Sequence, residues 1–219
     1  RVDFSLSPLS FNAKNIKYHR LRIMKKQNII MIVAALLPLG LFLFPLWRIT
    51  LEAPQYPTPL AMNIHVNDFS DVHPHDIKNI NLMNHYVGMQ YIPEAIPEFK
   101  IFPTGILITS FIGLLIGWKG NYKWFLGWFI LMLVLSAAGM YDFYLWEHDY
   151  GHNLDPKAIM KFTNKDGTVM GFQPPLFGTK DILNFKAHSY PQFGALFLGL
   201  GIASGFLAYF VGKKNKSTA

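Results

Sequence analysis

The chain has 219 residues, of which 51% are hydrophobic, 16% aromatic and 15% charged, and its net charge is +7. The charged share is well below the roughly 25% of soluble domains, and the apolar residues occur in long runs, as in membrane proteins. The sequence has no cysteine, which excludes disulfides, iron–sulfur clusters, thiolate zinc sites and thiol catalysis.

Residues 1–28 form a basic segment that precedes the first apolar run, with six basic residues between Lys14 and Lys26. A nucleic-acid-binding arm has a similar composition. However, the run 29–47 that follows carries no charge and is long enough to span a bilayer. We therefore interpret 1–28 as a membrane-flanking tail rather than a signal peptide, expect no nucleic-acid partner, and predict a first transmembrane helix over 29–47.

Three further apolar runs predict three more transmembrane helices. They cover 101–118, 124–145 and 193–211, with a tight turn at 119–123 and a basic tail at 212–219. The predicted fold class is thus membrane α-helical with four transmembrane helices, in contact with the lipid bilayer.

The distribution of charge predicts which side each polar segment faces. The two tails and the 119–123 turn carry twelve Lys and Arg against one acid, Asp3, whereas the loops 48–100 and 146–192 carry eight against eleven acids. The positive-inside rule places the tails and turn in the cytoplasm and both long loops outside the cytoplasmic membrane. Seven of the eight histidines lie in these loops, although membrane spans exclude histidine in any case.

The two long loops are expected to form one small mixed α/β cap, since each alone is too short to bury much core. Alternation predicts strands over 48–52 and 61–66, and the segment 71–76 resembles a helix start. Gly88 is a plausible end of that helix, which would fold Met89 back towards His85. The loop 146–192 is rich in proline and glycine and predicts an extended arrangement that folds on a partner surface.

Residues 81–89 contain the most suggestive donor set, because Met83, His85 and Met89 fall within seven positions. Thioether plus imidazole suits copper, especially Cu(I). The alternative is that Met83 packs in a core and His85 bonds a backbone group. Met62 is a further thioether candidate in the same loop.

Signatures of catalysis are missing from the sequence. There is no glycine-rich phosphate loop, no His-Glu-x-x-His motif and no arrangement that indicates a triad or a carboxylate pair. We therefore expect a protein that is not an enzyme.

Four strings together resemble a family of small bacterial membrane proteins found near genes for nitrous oxide reductase maturation. These are Leu46-Trp-Arg-Ile-Thr-Leu-Glu-Ala-Pro-Gln-Tyr-Pro57, Asn84-His-Tyr-Val-Gly-Met89, Tyr150-Gly-His-Asn-Leu-Asp-Pro156 and Gln173-Pro-Pro-Leu-Phe-Gly178. The resemblance implies copper handling outside the cytoplasm, and delivery to a copper enzyme. On the matched strings, the implied metal candidates are His85, Met89 and His152.

Three functions remain open from the sequence. The first is a membrane-anchored metallochaperone or assembly factor that binds copper, as Cu(I), through His85, Met89, Met83, His152 and Met62. The second is a structural or docking subunit of a larger membrane complex without a metal, because aromatic residues are enriched at interfaces. The third is a transporter, which the near absence of polar residues from the apolar runs, Asp142 apart, makes the weakest.

Overall fold

The structure is a computed structural model that describes residues 24–217. Most of the predicted basic tail 1–28, and the last two residues of the tail 212–219, lie outside the described residues. Within 24–217 the elements are, in chain order, α1 (Lys26–Leu36), a 3₁₀ helix (Leu37–Phe42), β1 (Trp47–Glu52), β2 (Leu60–Ile64), β3 (Phe69–Asp71), α2 (Asp76–Val87), α3 (Glu98–Lys119), α4 (Tyr122–His152), β4 (Gly178–Ile182), β5 (Phe185–Pro191) and α5 (Phe193–Ser217).

Three helices, α3, α4 and α5, are long and apolar enough to cross a membrane by length and composition. The first apolar run differs from the prediction of one helix over 29–47. It is α-helical only to Leu36, continues as a 3₁₀ helix to Phe42, and its last residue, Trp47, begins β1. Pro38 explains the change, since proline has no N–H to donate and clashes with the preceding turn. Because a 3₁₀ helix rises by 2.0 Å per residue, α1 and the 3₁₀ helix together extend about 28 Å.

The helices pack through small residues into a helix bundle, a name used here for α1, the 3₁₀ helix, α3, residues 122–145 of α4, and α5. A Cβ at Gly201 would lie 3.0 Å from the Pro38 ring, and one at Gly205 would lie 2.8 Å from the Trp128 ring. Trp128 is 2% exposed, and its indole N–H donates to the Thr109 carbonyl at 2.9 Å. The four-residue spacing of Gly201 and Gly205 therefore serves contacts inside the chain.

The two long loops meet in one antiparallel sheet of order β3-β2-β1-β5-β4. The central strand β1 pairs with β2 from its own loop and with β5 from the other, so that Trp47 lies opposite Ile64 and Pro191. The prediction that the loops form one unit is confirmed by this pairing. We call the sheet, α2 and residues 146–177 the sheet unit.

The strands and the helix predicted in the first loop are confirmed, with small changes of boundary. The helix α2 begins at Asp76 and ends before Gly88, whose φ of 81° is the left-handed conformation that glycine adopts without a Cβ penalty. The amide of Met89 donates to the Asn84 carbonyl at 2.9 Å, as the predicted helix end requires.

The second loop contains more regular structure than predicted. The helix α4 continues through 146–152 instead of ending at Leu145, and β4 and β5 form a hairpin that proline and glycine content had concealed. Gly151 does not break the helix. It is needed because a Cβ there would lie 2.5 Å from the Gln173 backbone, which packs directly on the helix end.

Candidate functional site

A largely apolar cavity of about 90 Å³ lies in the sheet unit between the sheet, α2 and the end of α4. We call it the inner cavity. Ile49 and Leu51 on β1, Ile80 and Val87 on α2, and Trp146 on α4 form much of its wall. Phe172 covers another part and is held there by its amide, which donates to the Gly151 carbonyl at 2.8 Å.

Three methionines line this cavity, each from a different part of the chain. Met62 comes from β2, Met83 from α2, and Met89 from the segment that Gly88 folds back. Met83 shares its helix face with Ile80 because the two are three residues apart. All three predicted thioether candidates are therefore brought to one cavity, although they span 28 positions of the sequence.

Glu147 also lines the inner cavity and is 1% exposed. Neither of its carboxyl oxygens has a hydrogen-bond partner among residues 24–217. A buried carboxylate without a partner is costly, so proteins rarely keep one that serves only packing.

Asp76, the other acid buried in the sheet unit, shows what a structural carboxylate looks like. It is 3% exposed, and one of its oxygens accepts hydrogen bonds from the backbone amides of Ala61 at 3.1 Å and His73 at 2.8 Å. The ring of His73 lies 3.2 Å from the same oxygen. Asp76 thus joins β2 to the start of α2, and no comparable role exists for Glu147 among the described contacts.

The protonation of Glu147 follows from its surroundings. The apolar stretch 124–145 of α4 is about 33 Å long, enough to cross a bilayer, so Glu147 lies beyond it in the sheet unit. Burial raises the pKa of Glu147 from 4.5 to about 8, against the opposing charge of Lys180. The carboxyl is therefore mainly protonated at neutral pH.

A short hydrogen-bond chain fixes the polar side of the cavity. The side-chain amide of Asn84 donates to the Tyr150 hydroxyl at 2.8 Å, and that hydroxyl donates to the Gln90 carbonyl at 2.5 Å. Burial raises the pKa of Tyr150 above its usual range. These two hydrogen bonds hold α2, α4 and the segment after Gly88 together beside the methionines.

A second, open depression of about 430 Å³ lies at the end of α2, and we call it the outer cleft. His85, Gly88 and Met89 form one side, and residues 153–159 form the other. His85 is exposed, with its ring stacked on Tyr91 at 6.1 Å between centroids. The structure therefore brings His85 and Met89 together, as predicted, but in the outer cleft, and His85 does not line the inner cavity.

His152 lies apart from both cavities. It is exposed on the last turn of α4, and its Nδ1 donates to the His148 carbonyl at 2.9 Å. Its ring stacks on the His148 ring at 4.3 Å between centroids. The two rings can stack because α4 continues past Gly151 to His152, which places the two histidines one helical turn apart.

Histidine and carboxylate residues do not assemble a metal site in the part of the chain that the structure describes, where no three of them gather. What the structure does bring together is three methionines and one carboxyl in the lining of the inner cavity. Glu147 is one of the eleven acids of the two long loops, and nothing in the sequence alone singles it out. The available signal was the spacing of Trp146, Glu147 and Tyr150, which share one face once α4 is extended through 152.

Comparisons with known proteins give no relatives for this chain: no family model matched it, and no curated protein or solved structure matched it either.

Proposed function

We propose that this chain is a membrane-anchored copper-handling accessory protein, a metallochaperone or assembly factor without a catalytic step of its own. The single observation that carries this proposal is the convergence of Met62, Met83 and Met89 on the cavity that also contains the Glu147 carboxyl. The copper is cargo, held as Cu(I) and passed on to a partner protein such as a copper enzyme.

The donor set fits Cu(I) in softness and in charge. Thioethers are soft ligands that favour Cu(I) over the harder divalent ions. Three thioethers carry no charge, so a bound Cu(I) would keep its positive charge in an apolar cavity unless an anion lies beside it. Glu147 supplies that anion on losing its proton, and the carboxylate then gains the partner that it lacks among the described residues.

The proposed location is the cytoplasmic membrane, with the sheet unit on the extracytoplasmic side and both termini in the cytoplasm. The excess of Lys and Arg in the tails and the 119–123 turn supports this orientation. Three spans are supplied by α3, α4 and α5. The fourth is α1 with the 3₁₀ helix, whose length of about 28 Å is close to the ~30 Å of a hydrocarbon core. The resemblance of four sequence strings to proteins near nitrous oxide reductase maturation genes supports the same role.

Anaerobic titration with Cu(I) tests the proposal on the full chain in detergent. A colorimetric Cu(I) chelator serves as competitor, and metal content is measured by mass spectrometry. We expect one copper per chain in the unchanged protein. Each of Met62→Leu, Met83→Leu and Met89→Leu should weaken binding by roughly tenfold or more, equivalent to about 1.4 kcal/mol. Leucine retains the apolar volume of methionine and removes only the sulfur.

Met160→Leu is the matched control, because Met160 is 42% exposed and lines neither cavity. Its copper affinity should equal that of the unchanged protein. Absence of copper from the unchanged protein contradicts the proposal. So does an affinity in all three cavity variants that equals the affinity of the unchanged protein.

A docking subunit of a larger membrane complex is the second candidate, favoured by exposed apolar side chains on the segment that follows α4. Ile159, Val169 and Phe177 are each between 65% and 68% exposed. Such residues are enriched at protein interfaces when they cluster. Extraction in mild detergent should then recover the chain with a stoichiometric partner, and Ile159→Ser with Val169→Ser should release it. Recovery of the chain alone contradicts docking.

A further inference from the structure

The inner cavity and the outer cleft share one residue, Met89. This residue lines both of them. The backbone between them is the end of α2 and the turn at Gly88, so that Val87 faces the inner cavity and Gly88 faces the outer cleft. The two spaces therefore adjoin at this turn.

The two spaces offer different ligand types, one exposed to solvent and the other buried. The outer cleft offers the exposed imidazole of His85 and the carboxylate of Asp155. The inner cavity offers thioethers and the buried carboxyl of Glu147. An exposed imidazole binds copper and exchanges it readily with solvent, whereas a thioether set in an apolar cavity retains Cu(I) selectively.

The backbone of the separating turn is held on its outer side. The amide of Asp155 donates to the Gly88 carbonyl at 2.8 Å, and the amide of Met160 donates to the Tyr86 carbonyl at 2.9 Å. A Cβ at Gly88 would lie 2.7 Å from the Ala158 Cβ, so this contact is close. The element that can move between the two spaces is therefore the Met89 side chain, which is unbranched and has three rotatable bonds.

We infer that the outer cleft is the port through which Cu(I) enters and leaves the inner cavity, with His85 as the first ligand and Met89 as the ligand shared by both positions. This inference rests on the proposed function and assigns separate roles to residues that the sequence had grouped in one site. His85 governs the rate of transfer. Met89 governs both rate and affinity.

Stopped-flow transfer of Cu(I) from its bicinchoninate complex to the full-length protein separates the two roles. His85→Asn should slow loading about tenfold, because removing a ligand from the path raises the transfer barrier. Release to excess chelator should slow by the same factor, so that the equilibrium affinity is unchanged. Met83→Leu should show the opposite pattern, with weaker affinity that appears mainly as faster release.

His75→Asn is the matched control, since His75 is an exposed histidine at the other end of α2 and lines neither cavity. Its φ of 71° is left-handed, a conformation that asparagine accepts. Both of its transfer rates should equal those of the unchanged protein.

The outcomes distinguish this inference from the proposed function. Loading of His85→Asn at the unchanged rate, or slowing of His75→Asn to the same extent, overturns the port while leaving copper binding intact. Loss of affinity in His85→Asn equal to that in Met83→Leu places His85 in the holding site and also overturns the port. Failure of the unchanged protein to take up any Cu(I) overturns both.

Discussion

The helix bundle and the sheet unit both bury polar groups, but only the sheet unit buries an acid without a partner among the described residues. In the bundle, the Trp128 indole donates to a carbonyl and the Thr109 hydroxyl donates to the Gly105 carbonyl at 2.9 Å. The bundle's exceptions in the described chain are the Ser110 hydroxyl and the side-chain oxygen of Asn28, and both groups are neutral. Glu147 is a carboxyl in an apolar cavity, which is a far larger cost.

This difference in hydrogen bonding distinguishes residues that stabilise the fold from residues that are free to bind a ligand. The bundle gains stability from close helix contacts at glycines and from satisfied polar groups. The sheet unit also has satisfied buried polar groups, at Asp76 and Asn84. In addition it contains a cavity lined by methionines and by an acid that takes no part in these hydrogen bonds. Three changes test this contrast, from the largest expected effect to the smallest.

Glu147→Gln should change the pH dependence of stability in the copper-free protein by a few kcal/mol. Burial raises the pKa of Glu147 from 4.5 to about 8 in the folded state. Between those two pH values the unfolded chain releases this proton and the folded chain keeps it, so stability falls as pH rises. Below pH 4.5 the full stability is present. Glutamine does not titrate, and the variant should therefore lose this decline.

Thermal unfolding in detergent at pH 5 and pH 8 measures the effect of Glu147→Gln. The unchanged protein should lose more stability between the two pH values than the variant. An equal loss in both would show that the carboxyl is solvated, and the contrast between bundle and sheet unit would disappear. Glu94→Gln, at an exposed acid in the loop 48–100, is the control.

Gly205→Ala should destabilise the bundle by about 1–3 kcal/mol, the usual cost of overpacking. The new Cβ would lie 2.8 Å from the buried Trp128 ring, which has no room to withdraw. Gly199→Ala is the control on the same helix, because nothing lies within 4 Å of its Cβ position. Unfolding of both variants at one temperature would refute the close helix contact. Their Cu(I) affinities should remain unchanged.

Tyr150→Phe should cost about 1–2 kcal/mol, because it leaves the Asn84 amide and the Gln90 carbonyl without their shared partner. Tyr144→Phe, at an exposed tyrosine on the same helix, should change stability little. Chemical denaturation in detergent compares the two variants. Equal stability would mean that water replaces the hydroxyl and that the cavity is more open than its lining indicates.

Much of the fold could be read from the sequence because its signals are local. Apolar runs gave α3, α4 and α5, alternation gave β1 and β2, and Gly88 gave the end of α2. The first run failed as a single straight helix because Pro38 acts on backbone hydrogen bonding, which hydropathy does not measure. The β4–β5 hairpin was missed because β5 pairs with β1 across more than a hundred residues, and β4 in turn pairs with β5.

The candidate site shows the same division between local and distant information. The pairing of His85 with Met89 follows from one helix end and was predicted. The convergence of Met62 with Met83, and of both with Glu147, depends on how β2, α2 and α4 pack. The predicted grouping of His152 with these residues is not what the structure shows, since that histidine is exposed on the last turn of α4 and lines neither cavity.

The helix α4 is continuous from the bundle to the inner cavity, so it connects the two mechanically. A single helix of about 46 Å carries the buried Trp128 in its second turn, within the bundle, and Glu147 near its other end. The two residues are separated by about 28 Å along the axis, so a tilt of about 5° around Trp128 displaces Glu147 by about 2.5 Å. That displacement is comparable to a metal–ligand bond length. Because the Tyr150 hydroxyl joins the same helix end to Asn84 and Gln90, a tilt of α4 would move this wall of the inner cavity together with the segments bonded to it.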